Sequence, residues 1–220
     1  MILFENRRDA AEKLLTILPV NQMRKEKWEV LATSESGVLI ADTVAKAIGG
    51  GLDYLFTEPI QSPVNKDVWI AVVSETEEIV INRKLADAFN IAIDYIYGEA
   101  KRKHAEKIPS YLYKYRKGAP LKNMRGKNVM LVDEGADTGL TLMVSLKTIF
   151  AMNPARIVVA LPVIPESLST ELFSLVDNAY LLHRMQHYVE AKSYYRQQES
   201  ADTMALLAEK LKMDEKQKGE

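Results

Sequence analysis

The sequence predicts an α/β fold built on a mainly parallel core sheet flanked by helices. Three observations carry this expectation. Strand-length apolar runs alternate with helical patterns through most of the chain. Trp28–Thr33, Val38–Ile48 and Leu52–Thr57 make a β-α-β unit within thirty residues, and such units are nearly always parallel and right-handed. The run Val129-Met130-Leu131-Val132 has the unbroken apolar character of a strand covered on both faces, and it leads through Asp133-Glu134 into a Gly/Thr loop and a helical pattern.

The elements follow in order. Asn6 can cap a helix running to about Leu18, with Ala10, Leu14, Leu15 and Leu18 on one face and Pro19 as its stop. Ser34-Glu35-Ser36-Gly37 is a turn between the first strand and its helix, which Gly49-Gly50-Gly51 ends. Glu58–Asp67, with two prolines, reads as a loop, and Val68–Val73 with Glu78–Ile81 as a hairpin. Arg83 to about Lys107 is a long charged helix, relaxed near Gly98 and ended by Pro109. Tyr111, Tyr113 and Tyr115 fit a short strand or an aromatic stripe on a bent helix. A helix after Thr141 runs to about Met152, a strand from Arg156 to Leu161 is limited by Pro162 and Pro165, a helix covers Ser167–Leu175, and Asn178–Leu182 is the last strand. The tail from Tyr188 to Lys212 reads as mostly helical.

At 220 residues the chain can bury a full core, and it is read as one domain. A net charge of −1 gives no broad electrostatic case for nucleic acid or an anionic membrane. The absence of cysteine excludes disulfides and thiolate metal sites. No apolar run approaches the ~20 residues that span a bilayer. The N-terminus places its charges after its apolar residues, unlike a secretory signal, so a cytoplasmic location is expected.

Asn128–Thr141 is the stretch with chemistry in it. Parallel strands bind ligands at their carboxyl edge. Gly135 and Gly139 allow close backbone approach, the N–H groups entering the next helix favour an anion, and Thr138 and Thr141 add hydroxyl donors. The stretch reads as a phosphate cradle with three carboxylates, Asp133, Glu134 and Asp137, beside it.

The string Val129–Thr141 resembles the phosphoribosyl-diphosphate (PRPP) signature of type I phosphoribosyltransferases. Phe4–Ala10, Gly37–Ala45, Gly49–Asp53, Asn65–Glu75 and Val158–Glu166 extend the resemblance to a bacterial branch of uncharacterised phosphoribosyltransferase-like proteins. The resemblance implies a type I phosphoribosyltransferase fold with a small hood lobe, contributed by the N-terminal and C-terminal segments, and a long helical insertion at 83–117. It implies that Asp133 and Glu134 lie near the ribose hydroxyls and hold metal indirectly. Gly135, Ala136, Asp137, Thr138, Gly139, Leu140 and Thr141 would bind the 5′-phosphate. Mg²⁺ is expected on the diphosphate and ribose oxygens. The implied reaction displaces diphosphate at the anomeric carbon by a nitrogen nucleophile. Asp137 in its Asp-Thr-Gly setting resembles the proton acceptor of 6-oxopurine enzymes, although the lysine that would contact a purine is absent from Leu161–Pro165. Helix N-cap is the competing reading of Asp137.

The match breaks at two places. Active relatives carry a Pro-Arg-Gly-Gly turn for diphosphate where this chain has Ser34-Glu35-Ser36-Gly37, and an Arg-Lys pair where it has Glu58-Pro59. Carboxylates there repel diphosphate. Lys66 and Arg83 are the nearest replacement cations in sequence. Tyr188, Tyr194 and Tyr195 are candidates to stack on a base. His104, His183 and His187 form no metal spacing, and Lys101–His104 reads as a solvated helix face. Three readings follow: an Mg²⁺-dependent phosphoribosyltransferase with a degenerate diphosphate site, a non-catalytic phosphoribosyl or nucleotide sensor, and a partner-binding surface with a homodimer formed through Arg83–Lys107.

Overall fold

The computed structural model describes residues 1–197. Its centre is a five-stranded, all-parallel sheet made of β1 (Trp28–Ala32), β2 (Gly51–Tyr54), β6 (Asn128–Val132), β7 (Arg156–Pro165) and β8 (Asn178–Met185), in the order β2-β1-β6-β7-β8. A smaller antiparallel sheet, β3-β4-β5, is formed by Thr57–Gln61, Trp69–Ser74 and Ile79–Ile81. The helices are α1 (Arg7–Leu15), α2 (Val20–Met23), α3 (Val38–Ile48), α4 (Arg83–Ala88), α5 (Ile93–Arg116), α6 (Leu140–Ala151) and α7 (Glu166–Leu175). The α/β class and the parallel central sheet expected from the sequence are therefore present.

Register explains why the central strands are apolar throughout. Val30, Met130 and Val158 lie side by side, as do Leu31, Leu131 and Val159. Successive residues point to opposite faces, so the first row enters the core beneath α1 and α3, and the second enters the core beneath α6 and α7. The small sheet packs against α4 and α5 through Ile60, Ile70, Ala86 and Ile96, and against α6 through Val72, Leu140 and Val144. No helix among the described residues is long and apolar enough to cross a membrane.

Caps match local chemistry. Asn6 accepts from Asp9 N–H at 2.9 Å to start α1, which stops at Leu15 rather than Leu18. Gly49, at φ 67°, ends α3.

Prolines account for three departures from expectation, in β3, β7 and α5. Glu58 and Pro59 lie in β3 rather than in a loop. β3 is an edge strand, and Pro59 turns its carbonyl away from β4 to accept from Lys103 Nζ at 2.6 Å. Its missing N–H therefore lies on the unpaired side. β7 runs through Pro162 to Pro165 and β8 to Met185. Beyond Ala160, β7 is paired only with β8, at Leu161 and at Val163, Ile164 and Pro165 but not at Pro162, so Pro162 has no ladder bond to lose. Pro109 sits inside α5 instead of ending it. The last turns hold because Ile108 is buried, Tyr111 bonds Glu58, and Arg116 is anchored in the protein interior. The long charged segment breaks earlier, at Asn90 (φ 51°), and not at Gly98. Tyr111 and Tyr115 lie on one face of α5 against Phe56, so the aromatic-stripe alternative applies to them, while Tyr113 is exposed. Of the tail expected to be helical, the described part carries one 3₁₀ turn, Ala191–Tyr194, with bends around it; positions 198–212 lie outside the described residues.

Candidate ligand site at the switch point

From β1 the chain winds outward through α3 to β2, and from β6 it winds the other way through α6, β7, α7 and β8. The strand order reverses between β1 and β6. Loops leaving two such neighbours diverge and open a crevice at the carboxyl edge. Both stretches singled out in the sequence, Ser34–Gly37 and Asp133–Thr141, leave the sheet there. They line one side of a cavity of about 510 Å³.

Asp133 stands at the crevice floor, only 7% exposed. Thr33 Oγ1 donates to its Oδ2 at 2.6 Å, and Glu134 N–H donates to its Oδ1 at 2.7 Å. Ser34 Oγ also donates to Oδ1, while accepting from Gly37 N–H at 3.1 Å. Gly37 cannot be larger, because a Cβ there would sit 2.8 Å from Asp133 Cα. Burial raises the Asp133 carboxyl to about 6, against the hydrogen bonds from Ser34, Thr33 and Glu134 N–H. Ser34 thus holds Asp133, and Ser36 lines the cavity. Glu35 is exposed and lies outside the lining.

Glu134 is held just as firmly. Arg7 reaches its Oε2 with Nε at 2.9 Å and Nη2 at 2.7 Å, and Tyr195 OH donates to its carbonyl at 2.7 Å. The Arg7 guanidinium also lies 5.6 Å from the Tyr195 ring centroid. Sequence reasoning missed Arg7. The signal was its helical spacing with Ala10, Ala11 and Leu14, which puts a charge on the buried face of α1.

The loop from Gly135 to Gly139 supplies donors. Among the described residues, the backbone N–H groups of 135–139 find no acceptor. Leu140 N–H reaches Thr138 Oγ1 at 3.4 Å. Gly139 (φ 75°) turns the chain into α6, whose first turn carries no side-chain cap. Asp137 is therefore not the N-cap of α6. Its Oδ1 accepts from Tyr188 OH at 2.7 Å and Ala191 N–H at 2.8 Å. Gly135 is packed from behind: a Cβ would meet Ala191 Cβ at 2.7 Å and Val163 O at 3.0 Å.

The opposite wall is Asp67, Val68 and Trp69 from the approach to β4, with Leu85 from α4. Among the described residues, four carboxylates line the cavity (Asp67, Asp133, Glu134 and Asp137) and no Lys or Arg does. Asp133 and Glu134 do not fit as direct Mg²⁺ ligands, because Thr33, Ser34 and Glu134 N–H occupy the first and Arg7 the second. Among the described residues no group of three or more His, Cys, Asp or Glu could hold a metal ion.

Several candidates lie elsewhere. Glu58 is buried under α5 on Tyr111 and does not line the cavity. Lys66 and Arg83 are exposed and outside the lining. Tyr194 and Tyr195 are 3% exposed in the core and cannot stack on a ligand, and the Tyr188 hydroxyl is engaged by Asp137. Burial first, then Asp137, drives the Tyr188 phenol up. His104 contacts Glu75 O at 3.1 Å, and His183 packs on Phe4. Arg102 pairs with Glu99 and Glu106 along the surface of α5, consistent with a solvated helix face.

This chain is 24% identical over 185 residues to a Mycobacterium tuberculosis protein, found in two strains, that is provisionally named a phosphoribosyl transferase. The match covers 83% of this chain and 40% of that protein, so the chain spans well under half the length of the curated relatives it matches. The crystal structure of TT1426 from Thermus thermophilus superposes with a TM-score of 0.72 at 26% identity, covering 95% of this chain and 99% of that one. That coverage extends the likeness to both sheets. No protein-family model matches.

Proposed function

We propose that this type I phosphoribosyltransferase-like chain binds a phosphoribosyl compound at the β1/β6 switch point. The observation that carries the reading is the run of N–H groups from 135 to 139 without acceptors among the described residues, directly before the twelve-residue helix α6. Backbone donors at a helix start suit a phosphate monoester. The 5′-phosphate would occupy Gly135–Thr141, with Thr138 and Thr141 as further donors. The ribose would face Asp133 and Glu134, and the lobe over the crevice would act as the hood.

In its transferase form the reading adds Mg²⁺-PRPP and displacement of diphosphate by a nitrogen acceptor, with Asp137 as proton acceptor. In its non-catalytic form the chain senses a ribose 5-phosphate or nucleoside 5′-monophosphate. The charged side chains in the lining are all acids among the described residues, which favours the second form, since none of them neutralises a diphosphate. Calorimetry distinguishes them. Heat with ribose 5-phosphate but not with Mg²⁺-PRPP is expected. Diphosphate release from PRPP with any purine or pyrimidine acceptor would restore the transferase form. No heat with any of these ligands at millimolar concentration would remove the reading. The homodimer suggested by the charged 83–107 segment is a separate proposal, tested by light scattering.

A further inference from the structure

We infer that Trp69 and Asp67 form a subsite for a planar, amino-bearing heterocycle carried by the phosphoribosyl ligand. The inference rests on the phosphate reading above and assigns the half of the cavity that reading leaves empty.

Three of the four lining carboxylates are satisfied within the protein: Asp133 by Thr33 and Ser34, Glu134 by Arg7, and Asp137 by Tyr188 and Ala191 N–H. Asp67 is different. Its own N–H is tied to Asn65 Oδ1 at 3.0 Å, but its carboxylate has no partner among the described residues. Two residues on, Trp69 lines the same cavity while 43% exposed. Its ring has no aromatic or cationic neighbour among the described residues. Val68 and Leu85 complete an apolar surface beside it.

This wall is held in place. Ser62, 1% exposed, accepts from Val64 and Asn65 N–H, and its own N–H donates to Val68 O at 2.9 Å. Trp69 lines the cavity, and indole rings stack on planar heterocycles. A carboxylate in the same lining, without a partner among the described residues, accepts from an exocyclic amine or a protonated ring nitrogen. A keto edge brings oxygen lone pairs against it. The cavity volume is in the range that encloses such a ligand.

The test is calorimetry on the full chain with four nucleoside 5′-monophosphates and ribose 5-phosphate. Adenosine monophosphate is expected to bind about tenfold tighter than inosine monophosphate, and cytidine monophosphate tighter than uridine monophosphate to a similar degree. Asp67→Asn, which can donate as well as accept, is expected to reduce both preferences to about twofold or less. Trp69→Ala is expected to weaken all four nucleotides about tenfold and leave ribose 5-phosphate unchanged. Both substitutions are at exposed positions, and unchanged ribose 5-phosphate binding reports an intact fold and phosphate loop. Equal affinity for amino and keto partners overturns the amino-bearing class. Nucleotide affinities insensitive to Trp69→Ala overturn the subsite while leaving the phosphate reading standing. Failure of ribose 5-phosphate to bind the native chain overturns both.

Discussion

Asp133 holds its carboxyl almost fully buried at the crevice floor, and the consequence can be read from pH. Its folded-state pKa of about 6 lies above the ordinary 3.8. A raised carboxyl contributes stability below the unfolded value and loses it as pH climbs through the folded one. Between about pH 4 and pH 6, Asp133 should therefore remove ~3 kcal/mol of stability. Asp133→Asn keeps the shape without the charge. In urea titrations it should match the native chain near pH 4 and exceed it by up to that amount at pH 7; parallel pH profiles would contradict the assignment. Its neighbour Glu134 shows the opposite arrangement, a part-buried acid given a cation. Arg7→Gln should cost about 3–5 kcal/mol, and adding Glu134→Gln should recover much of it. A double-mutant cycle with coupling near zero would show that the pair contributes little. The acids themselves were visible in the sequence because they follow an apolar strand. Their partners were not, since Arg7 and Tyr195 lie far from them along the chain and only the fold brings them together.

Among the elements, α5 shows why local punctuation can mislead. Pro109 forbids one backbone hydrogen bond and crowds the preceding turn, yet the helix continues to Arg116 because its end is fastened to the body of the protein. Arg116 pairs with Glu75 and donates to Tyr54 O at 2.8 Å, and its Nε lies 3.5 Å from Asp53. All three charged side chains are at most 5% exposed. Burial raises the Asp53 carboxyl, with Arg116 opposing. Arg116→Leu leaves two buried acids without their cation and should cost about 3–5 kcal/mol. Hydrogen exchange should show the loss first in 105–116, with β6 and β7 still protected; uniform deprotection would mean the anchor belongs to the global core instead. The central strands and α3, α6 and α7 were legible because their apolar runs, the glycines after α3 and the Asn153-Pro154 break after α6 are local signals. β3, the end of β7 and the last turns of α5 were not. In each, a proline is tolerated through an unpaired edge or a distant anchor that sequence spacing does not encode. Glu58 follows the same rule: once β3 is a strand, Glu58 turns under α5 and leaves the crevice.

At the scale of the whole molecule, the site depends on parts that are remote in sequence. The crevice exists because the winding reverses between β1 and β6. Its floor comes from the central strands, its far wall from the small sheet, and its back from the two ends of the described chain. Leu3 and Phe4 N–H donate to Tyr194 O, Arg196 N–H donates to Phe4 O, and Phe4 packs on Tyr195. The parallel central sheet and the Gly/Thr loop that leaves β6 could be inferred from residue order. The chemistry of the cavity could not, because the gathering of four acids in its described lining and the engagement of three of them arise from tertiary contacts.

That pairing of the chain's two ends sets an order of events in refolding. Closing a loop from Leu3 to Tyr194 joins residues separated by nearly the whole described chain, whereas β1-α3-β2 and β6-α6-β7 close over short distances. The sheet can therefore assemble before Arg7 and Tyr195 reach Glu134, and before Ala191 seats behind Gly135. Stopped-flow refolding should show far-ultraviolet circular dichroism recovering ahead of ribose 5-phosphate binding. The lag should lengthen when Phe4→Ala weakens the clasp. Simultaneous recovery of both signals would mean that the ends meet in the rate-limiting step, and that the binding loop is complete as soon as the sheet is.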